Sequence, residues 1–433
     1  MKIAIAGYGL EGEENYTYWA AQGGHDITIV DENETPSHKL PGGVPTLLGP
    51  GVFEKLQGFD LVIRTAGLAP YKIKTDGKIW SATNEFFEKC PAKIIGVTGT
   101  KGKGTTASLI AAILEAAGKK TWLVGNIGIS AIETLERIGS EDIVVFELSS
   151  FQLWDLERSP HGAVVLFIEP EHLNVHTDMV DYVNAKSHIH LHQRVGDVLV
   201  YHPTNRYVRK IADMDAKVNA IRYSIPEDGG VYERDGLFLQ NAEIICPTDA
   251  VQLLGAHNIE NACAAITMVR AYDPAITAFA IEKGLRSFTG LPHRLKFVRE
   301  VAGVRYYDDS IATTPSSAIA ALKSFTQPKV IILGGSSKGS DFSNLAEELL
   351  QHDVRALLIG DEAQTIASAC DVAGFKNYEK IDNADMNAVV KKSHELAASG
   401  SVVLLSPASA SFGLFKNYVD RGNQFIASVN TLT

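Results

Sequence analysis

From residue 99 to residue 106 the chain reads Gly99-Thr100-Lys101-Gly102-Lys103-Gly104-Thr105-Thr106. Closely spaced glycines let backbone N–H groups approach an anion, and the lysines and threonines among them could bind phosphate oxygens and a metal ion. A helix starting at such a loop contributes only about 0.3–1 kcal/mol per charge at an exposed site. A triphosphate therefore also needs the Lys103 ammonium and a magnesium ion. Gly104 stands where a hydroxyl usually follows the lysine, so Thr105 or Thr106 has to supply the oxygen for magnesium. Glu147, closing the apolar run Ile143-Val144-Val145-Phe146, offers a second hard oxygen ligand. These residues suggest ATP-dependent group transfer with Mg2+. The plainer alternatives are a flexible Gly/Lys surface turn and a solvated glutamate at a strand end.

Such a loop works only where a strand delivers it and a helix leaves it. The apolar pattern predicts a strand over 93–97, a helix over 105–117 and further strands over 142–146 and 163–168. Ahead of them, strands are expected at Lys2–Ala6, 26–30 and 60–64. Beyond a turn-rich stretch at 286–292, strands are expected at 329–333, 356–359 and 401–405. Strands alternating with helices make an α/β protein with mostly parallel sheets. At roughly 150 residues per domain, 433 residues fit three tandem domains, with boundaries expected at 1–90, 91–287 and 288–433. Gly7-Tyr8-Gly9-Leu10-Glu11-Gly12 after the first strand, with Asp31 ending the next, imitates a dinucleotide fingerprint. The first and last domains are accordingly expected to be Rossmann-like, around a central P-loop ATPase.

The bulk numbers exclude other classes. A net charge of -11 without a long basic run argues against a nucleic-acid groove. The four cysteines, Cys90, Cys246, Cys263 and Cys370, are scattered with no CxxC pair, as expected of packing residues in a reducing compartment. Met1-Lys2-Ile3-Ala4-Ile5-Ala6-Gly7 reaches glycine too soon for a signal peptide, and no run approaches membrane-spanning length. A cytoplasmic protein without membrane insertion is expected.

The motifs then become specific in their joint order. Gly99-Thr100-Lys101-Gly102-Lys103 is followed by Asn126-Ile127-Gly128 and by Glu147-Leu148-Ser149-Ser150-Phe151-Gln152-Leu153. Next come Glu171-His172-Leu173 with His176, Ala185-Lys186, Gly255-Ala256-His257-Asn258 with Asn261-Ala262, and Gly290-Leu291-Pro292-His293-Arg294. Asp308-Asp309-Ser310-Ile311-Ala312-Thr313-Thr314-Pro315, Gly334-Gly335-Ser336-Ser337-Lys338-Gly339-Ser340-Asp341-Phe342 and Leu405-Ser406-Pro407 through Arg421-Gly422 complete the series. Together they resemble the Mur ligases over nearly the whole chain, and the Ser-Ser-Phe-Gln-Leu string resembles the glutamate-adding branch. The resemblance implies a uridine-nucleotide domain, a central ATPase and an amino-acid domain, in a monomer. It implies that ATP converts the carboxylate of UDP-N-acetylmuramoyl-L-alanine to an acyl phosphate, which the amine of D-glutamate displaces. L-glutamate, or another Mur or folylpolyglutamate-type ligation, is the alternative.

Carried over residue by residue, the resemblance implies that Gly9, Leu10, Asp31 and Thr65 hold the uridine diphosphate, against the dinucleotide reading. Asn126, Ser149 and Gln152 would meet the same substrate. Gly99, Thr100, Gly102, Lys103, Gly104, Thr105 and Thr106 would hold ATP, with Asn258, Arg294 and Asp309. His172 resembles a magnesium-binding histidine, and Lys186 stands where relatives carry a carbamoylated lysine. A bare ammonium about 4 Å from a divalent ion would be repelled by several kcal/mol at an effective dielectric near 20, whereas a carbamate is an anionic ligand. Lys103, His172 and Lys186 would thus carry the catalysis, with Thr105, Glu147, His172 and Lys186 around the metal. Phe167 and Asn174 depart from the family's Asn and Asp, so the metal shell is expected to differ in detail. Thr313, Lys338, Ser411, Phe412 and Tyr418 resemble the amino-acid site, although Ser411 could instead cap a helix. Ile311 stands where some members have Lys. In His188-Ile189-His190-Leu191-His192 only His188 and His192 share a helical face, and no third metal ligand is evident.

Overall fold

The computed structural model describes residues 1–126, 129–214, 218–226, 228–253, 255–337, 339–381, 385–411 and 413–433. Two site residues expected from the sequence, Lys338 and Phe412, lie outside the described residues. The chain forms two compact units, one of residues 1–252 and 256–288, the other of residues 253–255 and 289–433.

The first unit contains two parallel sheets. Strands β1 (Lys2–Ala6), β2 (Asp26–Asp31), β3 (Thr46–Leu48), β4 (Leu61–Arg64) and β5 (Lys78–Ser81) form one, in the order β3-β2-β1-β4-β5. Strands β6 (Lys93–Thr98), β7 (Thr121–Gly125), β8 (Ile143–Glu147), β9 (Gly162–Val165), β10 (Val198–Tyr201) and β11 (Asn219–Arg222) form the other, in the order β11-β10-β9-β6-β8-β7. A small antiparallel sheet, β12 (Tyr232–Arg234), β13 (Leu237–Gln240) and β14 (Glu243–Pro247), follows. The second unit holds β15 (Lys296–Val301), β16 (Val304–Asp308), β17 (Lys329–Gly334), β18 (Val354–Ile359), β19 (Tyr378–Ile381) and β20 (Val402–Leu405). Their order is β15-β16-β20-β17-β18-β19, parallel except for β15 against β16.

The inner strands are apolar on both faces because helices cover both faces, as parallel sheets require. All of β8 and all of β17 are buried. Behind the central sheet the helix Lys103–Ala116 packs so closely on Ala278–Ser287 that a Cβ on Gly284 would lie 2.5 Å from Ile113 Cα. Phe86 and Phe87, on the helix Ala82–Lys89 between the two parallel sheets, meet Phe146 of β8 at ring-centroid distances of 5.4 and 5.8 Å. That aromatic contact places the first sheet against the core of the second.

Element limits differ from the sequence expectation at the loops. The helix begins at Lys103 rather than 105, because Gly102 in the left-handed region at φ 84° ends the loop. β9 stops at Val165, so Phe167 and Ile168 belong to a loop. The strands β3, β5, β7, β10, β11, β15, β16 and β19 and the small sheet β12–β14 were not among those expected. Among the described residues no helix is long and apolar enough to cross a membrane, and the four cysteines are unpaired.

Candidate active site

β6 ends in the glycine loop, and the loop needs glycine twice. Gly99 has φ 151°, and a Cβ there would lie 2.7 Å from Leu166 Cβ. A Cβ on Gly102 would lie 2.4 Å from Asn261 Oδ1. Thr100 pins the loop to the stretch after β9. Its N–H donates to Phe167 O at 2.9 Å, while its Oγ1 donates to Glu169 O at 3.1 Å and accepts from Glu169 N–H at 3.0 Å. Thr100 thus shapes the cradle with a hydroxyl that is already engaged. Lys103 Nζ donates to Thr100 O at 2.9 Å. In the first helical turn Thr105 and Thr106 are both buried, and Thr106 Oγ1 has no hydrogen-bond partner among the described residues. A sealed, orphaned hydroxyl beside a phosphate cradle is a group that a bound ligand could satisfy. Asn258 and Asn261, one turn apart on the helix Ala256–Tyr272, are buried, with Asn261 Nδ2 donating to Asn258 Oδ1 at 3.2 Å. Asn261 therefore links Gly102 to the predicted nucleotide residue Asn258.

Lys186 approaches the loop from the helix Met179–Leu191. It is 1% exposed and donates to Gly99 O at 2.8 Å and Thr98 Oγ1 at 3.2 Å, with the Tyr182 ring 4.8 Å away. Neither acceptor is an anion. Burial, then the nearby Lys103 charge, drives the Lys186 ammonium well below the usual lysine range, while Glu171 and Glu147 act the other way. Glu147 is buried at the end of β8. His172 sits at φ 58°, a region costly for a residue with a Cβ, with its ring 4.9 Å from Phe151. Burial lowers its pKa, opposed by Glu171. Among the described residues no three His, Cys, Asp or Glu side chains converge as a ready-made metal site. His188 and His192, with rings 5.9 Å apart, add none.

At the first sheet, Gly9 caps the helix Leu10–Gln22, and Leu10 is exposed beside it. Asp31 folds the neighbouring loop. Its Oδ2 accepts Tyr8 N–H at 2.7 Å and its Oδ1 accepts Asn33 N–H at 2.8 Å. Thr65 begins the loop after β4, and a Cβ on Gly7 would lie 2.4 Å from its Oγ1. Asn126 is exposed just past β7. Ser149 and Gln152 bond to one another as a capping box. Gln152 N–H donates to Ser149 Oγ at 3.2 Å and Ser149 N–H to Gln152 Oε1 at 2.9 Å.

In the second unit, Asp309 lies just past β16. Its oxygens accept Ser406 Oγ–H at 2.7 Å and Leu295 N–H at 3.0 Å. Burial pushes its pKa up to about 7, against those hydrogen bonds and the Arg294 charge. Arg294 is exposed. Thr313 is half-buried, Ser411 is buried, and Tyr418 is partly exposed at the start of the helix Tyr418–Asn430. That helix is capped by Asn417, whose side chain accepts Asp420 N–H, and the capping alternative for Ser411 falls away there.

The contacts of three residues were not foreseen from the sequence, although His176 and Arg421 stand in its motifs. Arg64 is fully buried and bonds Asp155. His176 bridges Ser150 Oγ at 2.9 Å and Asp181 at 3.1 Å, stacked on Phe151. Arg421, also fully buried, donates to Ser310 Oγ at 3.0 Å, Ser310 O at 2.8 Å and Ser409 O at 3.1 Å. It thereby ties together loops that carry Thr313 and Ser411. The Ser-x-x-Gln spacing could have revealed the capping box; a lone buried arginine leaves no such signal.

A parallel sheet that delivers a glycine loop to a helix, with Lys103 and Lys186 both donating to the loop's carbonyls, places the chain in the phosphate-loop class of α/β proteins. Comparison with known proteins narrows the class. Residues 97–269 match the Mur ligase middle domain and residues 293–409 the Mur ligase glutamate ligase domain. The chain is 38% identical over 449 residues to a Clostridium novyi protein named UDP-N-acetylmuramoylalanine--D-glutamate ligase, covering 100% of this chain and 97% of that one. The Clostridium tetani protein of the same name is 35% identical over 448 residues, at the same coverage. This protein belongs to the Mur ligase family. Its fold is similar to that of UDP-N-acetylmuramate-alanine ligase MurC from Thermotoga maritima, with TM-score 0.61, 19% identity and coverage of 100% of this chain and 99% of that chain. MurF from Thermotoga maritima, solved in complex with ADP, gives TM-score 0.59 at 17% identity, with coverage of 98% and 93%.

Proposed function

We propose that this protein joins D-glutamate to UDP-N-acetylmuramoyl-L-alanine with ATP, in the cytoplasm, as a monomeric step of peptidoglycan precursor synthesis. Residues 1–90 would bind the uridine nucleotide through Gly9, Leu10, Asp31 and Thr65, residues 91–287 would bind ATP, and residues 288–433 would bind glutamate through Thr313, Ser411 and Tyr418. The observation that supports this reading is the grouping of half-buried Lys103 with buried Lys186 at the glycine loop, where they donate to Thr100 O at 2.9 Å and Gly99 O at 2.8 Å, with Glu147 buried at the end of the neighbouring strand. The names of full-length relatives support the choice of substrates.

In this reading a substrate carboxylate oxygen attacks the γ-phosphorus and ADP leaves. The glutamate amine then attacks the acyl carbon, phosphate departs, and the amine loses a proton. The loop N–H groups and Lys103 hold the β- and γ-phosphates, where negative charge must be offset. The residues present fit a magnesium ion: Thr105 or Thr106, Glu147, His172 and a carbamoylated Lys186 would hold it. When bound, it would neutralise charge on the transferring phosphoryl group. Phosphate release from ATP with UDP-N-acetylmuramoyl-L-alanine, comparing D-glutamate, L-glutamate and lysine as acceptors, tests the proposal. Release should be stimulated by D-glutamate and abolished by Lys103→Ala. A folded protein that no acceptor stimulates would overturn the reading.

A further inference from the structure

The end of β4 carries a buried charge that the ligation chemistry leaves unexplained. Arg64 has 0% exposure. Its Nε donates to Asp155 Oδ2 at 2.7 Å and its Nη2 to the other carboxylate oxygen and to Phe151 O at 3.0 Å. On its other edge, Nη1 faces the carbonyls of Thr65, Ala66 and Leu68, each at 3.3 Å. The loop 65–68 is thus wrapped around one guanidinium. It is gripped from the opposite side by Glu11, whose Oε2 accepts Ala66 N–H at 2.8 Å. Asp155 is anchored in turn, since its carbonyl accepts Asn84 Nδ2–H at 3.0 Å.

We infer that Arg64 and Asp155 are a positioning pair that ties the loop carrying Thr65 to the segment following Glu147, fixing the uridine nucleotide in register with the phosphate loop. This rests on the ligase reading above. The reason lies in what an ion pair with a fully buried arginine and a half-buried carboxylate does well and badly. Replacing such a pair by apolar groups of similar volume is often neutral or stabilising, so stability alone does not call for it. A planar fork that satisfies acceptors on two different segments does fix geometry, because sliding either segment breaks several directional bonds together. On the central side those bonds end at Phe151, which stacks on His176 and lies 4.9 Å from the His172 ring. On the other side they end at the loop proposed to meet the uridine diphosphate. A displacement of about 1 Å between reacting groups can cost roughly a hundredfold in rate.

The pair has two separable parts. Asp155→Asn removes the charged tether and leaves the carbonyls of 65–68 around Arg64. Arg64→Lys removes the fork and unwraps the loop. With the full-length protein, initial rates should show Asp155→Asn lowering kcat about tenfold while the KM for UDP-N-acetylmuramoyl-L-alanine stays within about twofold. Arg64→Lys should raise that KM about tenfold as well as lowering kcat, with the KM values for ATP and glutamate within about twofold in both variants. A merely structural pair would lower the melting temperature with kcat unchanged in Asp155→Asn, or would have Arg64→Lys shift all three KM values together or none of them, and either pattern overturns the inference. If Arg64→Lys fails to fold, the kcat of Asp155→Asn decides alone. A wild-type protein that releases no phosphate with any acceptor overturns the ligase reading, and this inference with it. An active wild type with unchanged Asp155→Asn constants sinks only the positioning role.

Discussion

Burial drives Lys186 and Asp309 toward their neutral forms, with different consequences. Lys186 faces a backbone carbonyl and a hydroxyl, so as an amine it is available to add to carbon dioxide, forming a carbamate and releasing a proton. Protein incubated with 13C-bicarbonate should show a carbamate carbon resonance that Lys186→Arg lacks; its absence from an active wild-type enzyme rejects the modification. Asp309 is a stability group. Its folded pKa, raised to about 7 from 3.8, means that the folded state holds a proton the unfolded chain has already released. Stability therefore falls as pH rises from about 4 to about 7 and is flat above, with a cost on the order of 4 kcal/mol at three pKa units. Asp309→Asn cannot ionise, although it leaves either the Ser406 or the Leu295 donor without its acceptor. Denaturant melts at several pH values should show the variant gaining on wild type across that window. A difference that does not change with pH would mean that Asp309 is ionised in the folded protein at all of them.

At the scale of elements, the glycine loop is where local geometry constrains the site most. Gly102→Ala meets two obstacles, a left-handed φ of 84° and Asn261 Oδ1 at 2.4 Å from the new Cβ. The backbone cost alone is about 1–2 kcal/mol, and relief by moving Asn261 breaks its bond to Asn258. ATP affinity, read by calorimetric titration, should fall at least about tenfold, well beyond what the loss in melting temperature accounts for. Unchanged affinity would detach the loop from nucleotide binding. This loop was legible in the sequence because an apolar run stopped at glycines and an apolar helix followed. The alternation of strands and helices was legible for the same reason, since parallel strands buried on both faces read as continuous apolar runs. β3 was not, being three residues of which two are exposed. Ser149 and Gln152 were expected at the substrate from the resemblance alone, and the structure adds that they bond one another as a helix cap. Arg64 entered the sequence reading only as the end of a strand, because the Asp155 carboxylate and Phe151 carbonyl that hold it lie 91 and 87 residues later in the chain.

At the scale of the whole molecule, the division of contacts predicts how the chain melts. The first two sheets share one unit, joined by Arg64 to Asp155, by Ser130 to Glu14 at 2.8 Å and by Tyr71 to Val175 at 3.0 Å. They should unfold together, and residues 289–433 should form a second transition. Arg421 assigns it: fully buried and, among the described residues, bonded to Ser310, Ser409 and Ala410, it lies within the second unit. Arg421→Met would strand those acceptors and should lower only the second transition by scanning calorimetry. The proposed uridine-nucleotide contacts all fall in the first unit. UDP-N-acetylmuramoyl-L-alanine at about a hundred times its Kd should therefore stabilise that unit by about 2.7 kcal/mol, raising its transition by several degrees and leaving the other where it was. Equal shifts of both transitions would show that the substrate also depends on the second unit. A single transition in the free protein would show instead that the two units fold as one, and that the sheets near the chain's start depend on the C-terminal unit for their stability.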